Sequence, residues 1–116
     1  KVRAVYGNCD GWDVHSVCKE IEIFECEQHK VLLKHIVGRP GKYEKEIIEI
    51  IKQTKPTIVV AGHSHILKVQ YDQTHHFLFI NPGASGKYGI HNHITFLRFE
   101  IDGSSISNLE VYDEPR

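Results

Sequence analysis

The sequence predicts an α/β sandwich of one domain, residues 1–116, in which antiparallel hairpins build one sheet. Three observations carry this. Short apolar or alternating runs recur between turn-forming residues, as strands do. One segment, Tyr43 to Thr54, repeats its apolar residues at helical spacing. The 116 residues are 41% hydrophobic, which suits a single small core.

Val2 to Tyr6 reads as a first strand, followed by the turn formers of Gly7 to Gly11. Asp13 to Cys18 is ambiguous between loop and one helical turn. Ile21, Ile23 and Phe24 are interleaved with Glu20, Glu22 and Glu25, a strand pattern. Glu27-Gln28 is a turn, and His29 to His35 returns as a second strand. Gly38, Pro40 and Gly41 make Ile36 to Lys42 a loop. In the helix, Tyr43, Ile47, Ile50, Ile51 and Thr54 share one face and charged residues cover the other. Pro56 ends it. Thr57 to Ala61 is an apolar run of buried-strand type. Ile66 to Tyr71 and His76 to Ile80 form a second hairpin around Asp72 to Thr74. Asn81 to Gly89 is a glycine-rich loop. Ile94 to Ile101 and Ser105 to Tyr112 make a third hairpin around Asp102-Gly103.

Composition removes several classes of function. The formal net charge is −1 with no basic block, which argues against a dedicated nucleic-acid binder. No apolar run approaches the roughly 20 residues that span a bilayer. The cysteines Cys9, Cys18 and Cys26 are odd in number and form no CxxC pair, which fits a reduced, cytoplasmic protein. The sequence contains no methionine and opens at Lys1 beside a strand-like run. The expectation is that a further segment precedes it.

The chemistry gathers at strand ends. Gly62-His63-Ser64-His65 directly follows the Thr57 to Ala61 strand. In extended backbone, side chains at i and i+2 point the same way, so His63 and His65 are expected to face one side together. A lone His-x-His is more often a surface pair, and His91-Asn92-His93 is a second one in the same chain. What distinguishes the first is its company. Asn8 follows Val2–Tyr6, His35 follows Val31–Lys34, and Asn81 follows His76–Ile80. Ligands bind at the carboxyl ends of strands in open α/β sheets. One amide oxygen with three imidazoles suits Mn, Fe, Ni or Zn better than Mg or Ca. Asp10 is the only acid near the Asn8 loop. Arg39 and Lys42 sit in the loop after His35, as substrate-facing or merely solvated cations. His75, His76, His91 and His93 carry no assigned role, though the glycine-rich loop could bring His91 to the site.

Gly7-Asn8-Cys9-Asp10, His35, Gly62-His63-Ser64-His65 and Asn81-Pro82-Gly83-Ala84 occur in this order over essentially the whole chain. In this the sequence resembles the calcineurin-like metallophosphoesterase superfamily, most of all its small bacterial and archaeal phosphodiesterase branch. The resemblance implies an α/β/β/α sandwich whose N-terminal β-α portion is missing here. It implies hydrolysis of a small phosphodiester substrate by a metal-activated hydroxide, with two divalent ions about 3.5–4 Å apart. Mn is the favoured metal, ahead of Ni, Zn or Fe. Asn8, His35 and His63 would bind one ion and His65 the other. Asn8 and His35 would also act in catalysis, and Cys9, Asp10, Arg39 and Asn81 would support the site or the substrate loop. The family's Asp-x-His and Gly-Asp motifs stand ahead of the asparagine loop, and neither occurs ahead of Asn8 in this sequence. Cys9 stands where many relatives have histidine, and a thiol is a poorer proton donor to a leaving group. The resemblance also carries a rival from another class, a scaffold module like the retromer subunit of this fold, whose metal pocket has become a protein-binding surface. A structural zinc domain is disfavoured because no cysteine pair accompanies the histidines. Without its first segment the chain is expected to expose apolar edges and to self-associate as a homo-oligomer.

Overall fold

Strands buried on both faces read as continuous apolar runs, and the centre of this molecule is built from three of them. The computed structural model describes residues 1–116. Strands β1 (Ile21–Cys26) and β2 (His29–Lys34) pair as an antiparallel hairpin. Helix α2 (Lys45–Thr54) then carries the chain to β5 (Ile58–Val60), which lies parallel to β2. A second hairpin, β6 (Leu67–Asp72) and β7 (Phe77–Pro82), places β7 parallel to β5. The result is a mixed five-stranded sheet in the order β1-β2-β5-β7-β6.

Adjacent residues on the central strands point to opposite faces, and each face has its own core. Leu32, Val59, Phe77 and Phe79 pack with Ile47 and Ile51 of the helix. Val31, Ile58 and Ile80 pack on the other side with Leu97, Phe99, Ile101 and Ile106. Those last four belong to the long hairpin β8 (His93–Asp102) and β9 (Ser105–Pro115), a separate two-stranded sheet. Helix, mixed sheet and hairpin therefore stack as three layers, and the α/β class is as expected. The other helix, α1 (Trp12–His15), is a single turn with no buried residue. No helix is long and apolar enough to cross a membrane.

Four local expectations need correction. The central sheet is mixed and is not made of antiparallel hairpins alone, because α2 connects β2 to β5 as a crossover. Val2 to Tyr6 is not a strand. Its neighbour, residues 16–19, is mostly turn and bend, which allows one isolated bridge, Val5 to Lys19. The expected loop at 36–42 contains a small hairpin, β3 (Gly38–Arg39) with β4 (Lys42–Tyr43). Pro40 and Gly41 occupy its turn, and Gly41 takes φ +89°, as position i+2 of a type II turn requires. Tyr43 consequently belongs to β4, and the helix begins at Lys45. It still packs against the helix-side core beside Ile50.

Candidate functional site

The parallel strands β2, β5 and β7 run in register, with Leu33, Val60 and Ile80 aligned across them. Whatever follows each strand therefore emerges at one edge of the sheet. His35 follows β2, Gly62 and His63 follow β5, and Asn81 lies in the last turn-ward residues of β7. The loop of residues 7–10 reaches the same edge and brings Asn8.

Three side chains meet there. His35 Nε2–H donates to Asn8 Oδ1 at 2.9 Å, and His63 Nδ1–H donates to the same oxygen at 3.1 Å. The two rings stand edge to face with centroids 5.3 Å apart. His35 is held between two glycines. A Cβ added at Gly7 would lie 3.2 Å from its Cδ2, and one at Gly62 would lie 3.2 Å from its Nδ1. The Gly62 N–H also donates to the His35 carbonyl at 2.9 Å. Burial, then the charge of His63, holds the His35 imidazole below its usual pKa, although Asp10 acts the other way. A neutral ring is what a metal ligand requires. Asp10 itself closes the loop by accepting the Gly7 N–H at 2.6 Å. Cys9 is exposed, and its Sγ accepts from Asn8 Nδ2 at 3.6 Å.

The 62–66 turn differs from the extended form expected of it. His63 and His65 have φ of +70° and +63°, so both are left-handed and they do not line up as i and i+2 of a strand. Asn81 fixes this turn from β7. Its Nδ2 donates to the Gly62 carbonyl and to Ser64 Oγ, both at 3.1 Å, and its Oδ1 accepts the Gly83 N–H at 3.0 Å. Asn81 is buried, and its amide is spent on positioning. His65 faces His91, Nδ1 to Nδ1 at 3.2 Å, and makes no hydrogen bond to Asn8. His91 is the member that sequence reasoning left without a role. Its only signal was a glycine-rich loop returning the chain to the same sheet edge.

Beside His63 opens a cleft of about 550 Å³. Arg39, Lys42 and Lys68 line it over an apolar floor that includes Val37, Tyr43 and Phe79. None of these three cations takes part in an ion pair within the chain. The Tyr43 hydroxyl anchors this wall by donating to Asp72 at 2.6 Å. Burial and that carboxylate push the hydroxyl well above its ordinary pKa.

Asn8, His35 and His63 present one oxygen and two nitrogen donors to a common point. Ligand atoms about 2.0–2.2 Å from an ion and at right angles to each other stand about 3 Å apart. The 2.9 and 3.1 Å separations match that spacing. Binding would require each ring to carry its proton on the far nitrogen. The set fills part of one coordination sphere. No group of three or more His, Cys, Asp or Glu side chains in the chain is arranged to hold a metal ion by itself.

The family model of the calcineurin-like phosphoesterase superfamily domain matches residues 1–104. No match was found among curated proteins. Among solved structures, wild-type Vps29 of Entamoeba histolytica complexed with zinc aligns at a TM-score of 0.69 and 19% identity, covering 98% of this chain and 68% of that one. A conserved Streptococcus pneumoniae protein, described as a predicted phosphoesterase, aligns at 0.67 and 21%, covering 97% and 62%. An archaeal phosphodiesterase aligns at 0.66 and 20%, covering 93% and 67%. These likenesses speak for the fold, and the chain spans 62% to 68% of the length of the three structures. With the family match running through the Asn8 loop, His35, both histidines of the 62–65 turn and Asn81, the chain belongs to the calcineurin-like phosphoesterase superfamily.

Proposed function

We propose that this chain forms part of a metal-dependent phosphodiesterase acting on a small substrate. The observation that carries the reading is the convergence of His35 and His63 on Asn8 Oδ1 at the carboxyl edge of the parallel strands. These three residues would hold one divalent transition ion, Mn by preference and Ni, Zn or Fe as alternatives, with His65 serving a second. Such ions, when bound, supply Lewis acidity and a nucleophilic hydroxide at neutral pH. The chain's own side chains bind and orient. Arg39, Lys42 and Lys68 offer charge-assisted hydrogen bonds to the non-bridging phosphoryl oxygens. The glycine cradle keeps the His35 ring from swinging away, and the Asn81 clamp fixes His63 beside the cleft.

The test is hydrolysis of bis-p-nitrophenyl phosphate by the purified chain, with and without Mn²⁺, beside a His63→Ala variant. Turnover that needs the metal and vanishes in the variant is expected. A folded chain that binds metal and hydrolyses nothing overturns the reading. One observation favours a second reading, a metal-binding scaffold module. His65 is turned onto His91. That module would bind metal without turnover.

A further inference from the structure

The β7–β8 loop buries a histidine beside the site without an assigned use. His91 is 8% exposed. Its Nε2–H donates to the Gly86 carbonyl at 2.8 Å, which leaves Nδ1 unprotonated with its lone pair free. That Nδ1 faces His65 Nδ1 at 3.2 Å, so His65 now donates the hydrogen between them. The rings are nearly perpendicular, at 82°, with centroids 5.0 Å apart, so their nitrogens converge and their faces do not stack. Gly89 makes the room. At its φ of +138°, a Cβ would come within 2.7 Å of His65 Cε1 and 2.9 Å of His91 Nδ1.

We infer that His91 is a metal ligand, and that His65 and His91 together form an imidazole pair that grips one borderline divalent ion. Two imidazole nitrogens, each about 2.0–2.1 Å from a common ion, stand roughly 3.0–3.4 Å apart, and the observed separation lies within that range. Ligating histidines characteristically donate their other ring N–H to a backbone carbonyl or carboxylate, and the Gly86 carbonyl already fills that role for His91. Imidazole pairs select Zn²⁺, Ni²⁺, Co²⁺ or Cu²⁺ over Mg²⁺ and Ca²⁺. Ion entry requires the single His65 proton to move from Nδ1 to Nε2, so that the ring stays neutral and its Nδ1 lone pair is free. The inference rests on the proposed function only in taking His65 as a ligand, and it assigns the second ion position a donor from the β7–β8 loop.

Co²⁺ titration of the 116-residue chain, followed by visible absorption and calorimetry, tests it without any turnover. Wild type should bind in two classes. His91→Ala should weaken one class by at least the roughly 10–100-fold that loss of an outer partner causes, and His63→Ala should weaken the other. Loss in His63→Ala alone, with His91→Ala unchanged, overturns this inference and leaves the proposed function standing. Loss in His91→Ala alone does the reverse. No Co²⁺ binding by wild type defeats both. If His91→Ala fails to fold, the imidazole ¹⁵N spectrum of wild type during Zn²⁺ addition decides. His91 Nδ1 must shift while Nε2 stays protonated, and an unmoved Nδ1 in metal-loaded protein overturns the assignment.

Discussion

Tyr43→Phe should destabilise the protein at neutral pH and much less in acid. The Tyr43 hydroxyl donates to Asp72 Oδ2 at 2.6 Å, and Asp72 is 7% exposed. Asp72 Oδ1 keeps the backbone N–H groups of Thr74 and His75, both at 2.9 Å. Oδ2 would keep only His75 Nδ1, at 3.3 Å. Phenylalanine preserves the ring contacts with Phe77 and Phe79, so the hydroxyl alone is removed. A hydrogen bond to a charged group contributes about 1.5–3 kcal/mol. The three surviving donors to Asp72 place this loss at about 2 kcal/mol at pH 7. Burial by itself would raise the Asp72 pKa, but the bonds from Tyr43 and His75 outweigh it and hold the carboxyl below its ordinary value. A carboxyl held low in the folded state stabilises above its unfolded pKa, about 3.9. That stability is lost as pH falls through the folded pKa. The gap between wild type and variant should therefore narrow below about pH 4. Urea unfolding at pH 7 and in acid measures it. A gap under about 0.5 kcal/mol at pH 7, the range of an ordinary surface substitution, or one that persists undiminished in acid, refutes the reasoning. Because β4 carries Lys42 and pairs with Arg39, the same variant should raise KM for a phosphodiester more than it lowers kcat.

Gly62→Ala would press a methyl group against the His35 ring. Co²⁺ affinity should fall on the order of tenfold with little change in Tm, and unchanged affinity would count against His35 as a ligand. Ile47→Ala removes a side chain with 0% exposure from the helix-side core. It should cost about 2–5 kcal/mol in thermal or urea unfolding, and a loss under 1 kcal/mol would mean that α2 is not docked as described. Trp12, Tyr88 and Ile90 are each more than four-fifths exposed. Sedimentation should reveal self-association, and a clean monomer that binds no hydrophobic dye would contradict it.

The strands were legible because the core is two-sided and strands have period two. Leu32 and Val31, or Phe79 and Ile80, divide between the two clusters as adjacent apolar residues must. Their pairing was not legible, since an apolar run carries no mark of whether its neighbour is parallel. That is decided by the α2 crossover and by β7 returning beside β5. The β3–β4 hairpin hid in a stretch whose Pro40 and Gly41 suggested only irregular loop, although Pro-Gly is also the signature of the tight turn that closes it. The site edge was readable from residue types at strand ends, Asn8, His35, His63 and Asn81. The conformation of the 62–65 turn was not, because the Asn81 side chain that dictates it lies at the far end of the β6–β7 hairpin.

That turn shows how the site's geometry is maintained. Left-handed backbone at a residue other than glycine is costly by about 1–2 kcal/mol, and His63 and His65 both adopt it on either side of Ser64. An isolated Gly-His-Ser-His segment would not hold two such residues together. Here three hydrogen bonds offset the strain: Gly62 N–H to the His35 carbonyl, and Asn81 Nδ2 to both the Gly62 carbonyl and Ser64 Oγ. The bonds tie the turn to β2 on one side and β7 on the other, the two strands flanking β5. The consequence is chemical. In the left-handed form the two histidines part, one toward Asn8 and His35, the other toward His91. A single short motif thereby serves two clusters of nitrogen donors, and the buried amide of Asn81 sets the angle between them.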